Sequence, residues 1–193
     1  MVNPQINQLF LKNRLEQNAK VIWLTGLPCS GKTTLGLGLK QALLSAGFRV
    51  RMLDGDVMRR GLCSDLGFSD TDRNENIRRV AEVSKLFLET GIITINAFIT
   101  PTLELRERAQ QIIGNGNLIQ VYVNSPVEVC ELRDIKGMYA KARRGEITSF
   151  TGVSAPFENP VDPDVEINTH LNTPEHNVQQ LLEYVLPLIS KNT

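Results

Sequence analysis

A chain of 193 residues with 41% hydrophobic and 22% charged side chains has ordinary globular composition, which excludes a fibrous or disordered protein and suits one compact unit. Its 21 basic and 21 acidic side chains cancel, which argues against long nucleic acid or an anionic membrane as partner and leaves small anionic substrates open. Cys29, Cys63 and Cys130 are far apart without a CxxC pair, the N-terminal residues show no basic region followed by an apolar core, and no apolar run approaches the roughly 18 residues of a membrane helix. The expectation is a soluble, unprocessed, cytoplasmic protein with reduced thiols, forming a single domain over residues 1–193.

In chain order, Asn3-Pro4 opens a loose helical stripe, read as a short N-terminal docking helix over about residues 4–17. The apolar run Val21–Thr25 reads as a strand. It feeds Gly26-Leu27-Pro28-Cys29-Ser30-Gly31-Lys32-Thr33, which fits GxxxxGK[ST], and a helical pattern follows from Thr34 to Ala46. Strand, glycine-rich loop and helix together form a cradle for phosphate. The glycines let successive N–H groups face phosphate oxygens, Lys32 adds a mobile positive charge, and Thr33 offers a hydroxyl to Mg²⁺. The ligand implied is a nucleoside triphosphate held by residues 26–34. Cys29 is either a small filler or an oxidation-sensitive thiol.

The helix carries Leu35, Leu39, Leu43 and Leu44 as its apolar face and stops at Gly47. A second strand, Arg49–Leu53, ends in Asp54-Gly55-Asp56, where a parallel sheet presents ligand-contacting residues. Asp70–Thr90 is helical, with Ile77, Ala81, Ser84 and Leu88 near one face and Gly91 at its end. Arg73 and Asn76, three apart, share a face, whereas Glu75–Arg79 and Arg78–Glu82 suit a solvated charged face. Ile92–Phe98 is a strand covered on both faces, Thr102–Ile113 a helix, and Leu118–Val123 a fourth strand. Ser125-Pro126 with Glu128 predicts a capping box with proline at the first helical position.

Lys136–Gly145 is the most basic segment and is bounded by glycines, the pattern of a lid over phosphates, with a plain solvated helix as the alternative. Phe150–Asp164 reads as an ordered loop. Val165–Asn168 is a short fifth strand, and Thr173-Pro174 opens a helix burying Val178, Leu181, Leu182, Val185 and Leu186. Strands alternating with helices around a phosphate loop predict an α/β fold: a three-layer parallel sheet with right-handed crossovers. No N-K-x-D guanine signature is present, so a small-molecule kinase is favoured over a switch GTPase.

Several stretches then resemble one family of such P-loop kinases, the adenylylsulfate (APS) kinases. They are Leu53–Leu62, Asp65–Ser69, Asp72–Arg79, Ala97–Pro101, Cys130–Asp134, Lys136-Gly137, Ala142-Arg143 and Phe150–Gly152, in order along the chain. The resemblance implies Mg²⁺-dependent transfer of the ATP γ-phosphoryl group to the 3′-hydroxyl of adenosine 5′-phosphosulfate, giving PAPS and ADP. It implies adenylyl sulfate contacts at Asp56, Arg59, Phe68, Arg73, Asn76, Ile99, Thr100, Lys136 and Phe150, with Phe68 and Phe150 sandwiching adenine and Arg59 and Arg73 binding the phosphosulfate. The expectation is further that Arg133 lies against the ATP adenine, that Lys32, Asp54, Asp56 and Thr100 are catalytic, and that Thr33 and Asp54 serve the metal. From the residues alone, core packing is the preferred reading of Phe68 and Phe150, and a capped turn is the alternative for Asp54 and Asp56. The family also suggests a homodimer. Thr100 replaces its usual Ser, and Thr102-Leu103 its usual Tyr-Arg pair. A P-loop kinase for another small hydroxylated or nucleotide acceptor, and a nucleotide-binding regulatory subunit that has lost catalysis, are the competing readings.

Overall fold

The computed structural model describes residues 17–191, so the docking helix expected over residues 4–17 lies, apart from Gln17, outside the described residues. Five strands, β1 (Val21–Thr25), β2 (Val50–Asp54), β3 (Ile93–Ala97), β4 (Leu118–Asn124) and β5 (Val165–Asn168), pair in the order β2-β3-β1-β4-β5, all parallel. Each parallel pairing demands a crossover, and the helices between strands supply it. They are α1 (Lys32–Ser45), α2 (Gly55–Arg59), α3 (Asp70–Glu89), α4 (Leu103–Ile113), α5 (Val127–Arg133), α6 (Met138–Arg143) and α7 (Pro174–Ile189).

Both faces of the central strand are covered, and the alternation of a strand sorts its side chains between two cores. Ile22 and Leu24 meet Leu35, Leu39 and Leu43 of α1 and Leu181, Val185 and Ile189 of α7. Val21 and Trp23 meet Ile77, Val80 and Ala81 of α3 and Leu105, Ala109 and Ile113 of α4 on the other side. This is the predicted three-layer α/β arrangement. A third cluster, Cys130, Tyr139, Ala142 and Phe150, sits beside the phosphate loop. No helix among the described residues is long and apolar enough to cross a membrane.

Local signals held in most places. Beyond the end of α1, the Phe48 amide donates to Leu43 O at 3.0 Å and that of Gly47 to Leu44 O at 3.0 Å, which closes the helix as expected; Ile92 and Gly91 repeat the pattern on Phe87 and Leu88 after α3. Two expectations are corrected. Leu44 is 45% exposed, because the apolar face of α1 is completed by α7 and needs no fourth leucine. The capping box at Ser125 does not form: Pro126 is itself the N-cap of α5, and Ser125 is buried with its hydroxyl lacking a hydrogen-bond partner. The capping box that does form, Ser69 with Asp72 at the start of α3, uses Asp in place of the Glu or Gln of the usual pattern.

Candidate active site

The phosphate loop leaves β1 at the C-terminal edge of the sheet, between β3 and β4, where the strand order reverses and a crevice opens. Its shape is fixed by backbone. Gly26 has φ +156°, and a Cβ there would lie 2.4 Å from Val123 O, so only glycine lets the loop pass so close to β4. Cys29 (φ 60°) and Gly31 (φ 101°) complete the curl, and Gly31 caps α1 without using a side chain. The first amides of this helix are thereby left facing the loop. Lys32, only 8% exposed, folds back to donate to Gly26 O at 2.9 Å and Leu27 O at 2.6 Å. Burial pushes its ammonium down to about 8.

Side chains far away in sequence brace the loop. Thr169, just after β5, donates to Ser30 O at 2.6 Å, and Arg133 of α5 donates to Thr169 O at 2.9 Å and to Cys29 O at 3.4 Å. Tyr139, fully buried, donates its phenol to Pro28 O at 3.0 Å and meets Phe150 edge-on at 5.0 Å. Thr34 stands exposed on the first turn of α1.

Across the crevice, Thr33 donates its hydroxyl to Asp54 Oδ2 at 2.8 Å, while Asp54 Oδ1 accepts from the Asp56 amide at 3.0 Å. Asp54 therefore caps α2 and also joins Thr33 in one oxygen-rich corner. Asp56 points elsewhere, into an ion pair with Lys136. The strand ends at Asp54, so the two carboxylates are separated by the start of a helix and not by strand alternation.

Phe68 is 63% exposed, with the Arg59 guanidinium 4.4 Å above its ring. Arg59 Nη1 donates to Gly67 O at 2.8 Å; Arg73 reaches Phe68 O at 3.0 Å, Ser149 O at 2.8 Å and Thr151 Oγ1 at 3.3 Å. Of these two arginines, both expected to face a phosphosulfate, Arg59 braces the loop that carries Phe68 and Arg73 ties that loop to the one that carries Phe150. Burial lowers both guanidinium pKa values. Asn76 is buried nearby with its Nδ2 lacking a hydrogen-bond partner. Phe150 is buried and packs against Tyr139, so its ring belongs to the third core. Leu27 and residues 152–157 line an open cleft of about 480 Å³ alongside.

Two expectations need adjustment. The Thr100 hydroxyl, at 1% exposure, accepts from Trp23 Nε1 at 2.9 Å inside the second core, so it is the strained backbone here, φ 43°, that borders the crevice through Ile99. Ile99 O accepts from Thr25 Oγ1 at 2.7 Å and from the Gly26 amide at 3.4 Å. The basic segment is docked through Tyr139, and its charges are not gathered over the loop: Arg143 pairs with Glu131 and Arg144 with Glu146. Only Lys136 reaches the crevice.

Arg106 is a buried brace beside the site that sequence reasoning missed. At 5% exposure it donates to Thr100 O at 3.1 Å, to Pro101 O at 3.3 Å and to Glu158 O, and lies 5.2 Å over Phe157, which joins the segment after β3 to the cleft wall. Its place on the stripe of Thr102, Leu105, Ala109 and Ile113 was the available signal. Thr102, where the family pattern has Tyr, serves as the N-cap of α4.

The family model for adenylylsulphate kinase matches residues 18–168 of this chain, and so spans the phosphate loop, both carboxylates and the Phe68 and Phe150 loops. The chain belongs to the adenylylsulphate kinase family. A relative of that family, the adenylyl-sulfate kinase of Bacteroides fragilis, is 52% identical over 178 residues, 92% of this chain and 88% of its own. Among solved structures, the Mycobacterium tuberculosis APS kinase in complex with AMPPNP and APS superposes with a TM-score of 0.85 at 36% identity, over 88% of this chain and 98% of that one. A hexameric APS kinase from Thiobacillus denitrificans matches with a TM-score of 0.67 at 25% identity, over 96% of this chain and 32% of that one.

Proposed function

We propose that this chain transfers the γ-phosphoryl group of ATP to the 3′-hydroxyl of adenosine 5′-phosphosulfate, producing PAPS and ADP, with residues 1–193 acting as one kinase domain. The observation that carries the reading is the pairing, across one crevice, of a buried phosphate loop with an exposed carboxylate, Asp56, beside the aromatic and arginine cluster of Arg59, Phe68 and Arg73.

ATP binding exchanges the carbonyls now held by Lys32 for phosphate oxygens, and the amides at the start of α1 add their dipoles. Lys32 then neutralises charge on the transferring group, whose transition state is loose and needs positioning more than covalent help. Thr33 and Asp54 fit Mg²⁺: two oxygen ligands 2.8 Å apart beside the phosphates suit a hard ion that keeps several waters. Held by Thr33 and Asp54, the ion would supply electrostatic stabilisation to the transferring phosphate. Asp56 accepts the hydrogen bond of the acceptor hydroxyl and takes its proton late. Lys136 leaves Asp56 for the anionic acceptor as the latter arrives. Phe68 gives its exposed face to the acceptor adenine, while Arg59, Arg73 and Asn76, whose Nδ2 has no other hydrogen-bond partner, bind its polar groups. The Arg133 guanidinium plane lies against the ATP adenine. In the same reading the enzyme is a cytoplasmic homodimer, to be checked by sedimentation.

An ADP-release assay across adenylyl sulfate, gluconate, shikimate and nucleoside monophosphates tests the assignment. Release is expected only with adenylyl sulfate; equal release with another acceptor would reassign the site.

A further inference from the structure

Phe68 sits at the end of a loop with almost no packing of its own. Of residues 61–69 only Cys63 is buried, so apolar contacts cannot hold the loop in one conformation. It is held from α3 by two guanidiniums, that of Arg73 on Phe68 O at 3.0 Å and, earlier in the loop, that of Arg79. Arg79 donates from Nη1 to Leu62 O at 2.9 Å and Asp65 Oδ1 at 2.7 Å, from Nη2 to Asp65 Oδ2 at 2.8 Å, and from Nε to Glu75 Oε1 at 2.9 Å. Glu75 is itself fixed by Arg78, through Nε at 2.7 Å and Nη2 at 2.9 Å. Every nitrogen of Arg79 is thus engaged, in planar bidentate geometry that an ammonium cannot reproduce. At the far end of the same loop, Arg59 holds Gly67 O and lies over the Phe68 ring.

We propose that Arg79, with Asp65 and Glu75, is a positioning strut that fixes Phe68 in place for the acceptor, without touching substrate itself. The inference rests on the reading of Phe68 as the acceptor's adenine platform. Exposed ion pairs add little to global stability, so the network's effect falls on a local property, the order of the loop. A loop already ordered does not have to be ordered by the ligand, and affinity rises by that saving.

The test is steady-state kinetics on five proteins: wild type, Phe68→Ala, Arg79→Met, Arg79→Lys and the Phe68→Ala, Arg79→Met double variant. Phe68→Ala is expected to raise KM for adenylyl sulfate by about tenfold or more, the effect of a lost stacking contact. Arg79→Met should raise the same KM by about fivefold, leave KM for ATP unchanged and leave kcat within about twofold, as expected for lost uniform binding. In the Phe68→Ala background Arg79→Met should add nothing, because the platform it positions is gone. Arg79→Lys should not restore the wild-type KM. Should Arg79→Met accumulate poorly, Asp65→Asn removes the bidentate partner at an exposed position and gives the same cycle. Equal effects of Arg79→Met in both backgrounds, or a rise in KM for ATP alongside, would overturn the strut while sparing the platform. An unchanged KM in Phe68→Ala would overturn both.

Discussion

The two halves of the crevice are built on different plans. The donor half is backbone: curled glycines, a helix N-terminus and a buried lysine, braced by Thr169, Arg133 and Tyr139. The acceptor half is side chain: Asp56 paired with Lys136, Arg59 over Phe68, Arg73 bridging two loops, most of them exposed. A phosphate chain is the same in every nucleoside triphosphate, so rigid amides suffice to hold it. Recognition of one particular acceptor needs side chains, and in this structure these are bonded to one another. They must exchange partners when the acceptor binds, whereas the donor half changes only where Lys32 releases its carbonyls.

The largest break falls on the donor side. Lys32→Ala should lower kcat by roughly 10³-fold or more, the scale of a lost cationic clamp on a transferring phosphoryl group, with KM for adenylyl sulfate little changed. Rapid-quench single turnovers would separate this from a binding defect, and near-normal chemistry in a folded variant would remove Lys32 from the reaction. On the acceptor side, Asp56→Asn should lower the chemical step by roughly 10² to 10⁴, the range of a positioned acid–base group, while calorimetry finds ATP affinity intact. Collapse of ATP binding instead would move Asp56 to the metal site. Arg73→Ala sharpens the contrast further. Loss of a bidentate anion contact worth about 2 to 3 kcal/mol raises KM for adenylyl sulfate by roughly 10² and leaves KM for ATP alone. Because Arg73 also joins Phe68 O to Ser149 O, limited proteolysis of the variant should open both loops.

The sheet was legible because strands covered on both faces read as unbroken apolar runs, and Val165–Asn168 emerged with its observed limits. The donor half was legible for a related reason: backbone geometry of this kind needs a fixed pattern of glycines and a lysine. Contacts between residues far apart were not. Nothing near Trp23 announces a hydrogen bond to Thr100, 77 residues on, and nothing near Ser30 announces Thr169. Arg106 resembles any helix-surface arginine until its carbonyl partners are seen. The basic segment misled by composition, since Tyr139, an ordinary aromatic in sequence, is what docks it, and Arg143 answers Glu131 one helix earlier.

The smallest effect concerns stability and pH. Hydrogen bonds from Arg78 and then Arg79 pull the Glu75 carboxyl down to about 2 from its ordinary 4.5. A carboxylate depressed in the folded state stabilises fully above its unfolded value and loses that contribution as pH falls through the folded one. The difference in urea midpoint between wild type and Glu75→Gln should therefore be constant above pH 4.5 and shrink towards pH 2. A difference that grows on acidification would contradict the sign. Glu75 is half-buried at the surface and its ion pairs are reached by solvent, so the difference itself should be modest.

The central claim, that the two halves meet around one phosphoryl transfer, is tested most directly by following the label from γ-labelled ATP in a single turnover with adenylyl sulfate and Mg²⁺. The label should appear on the 3′-oxygen of adenylyl sulfate, one for each ADP formed, and this transfer should slow by roughly 10² to 10⁴ in Asp56→Asn while ATP still binds. Label recovered as inorganic phosphate, or on adenylyl sulfate at an unchanged rate in Asp56→Asn, would contradict it.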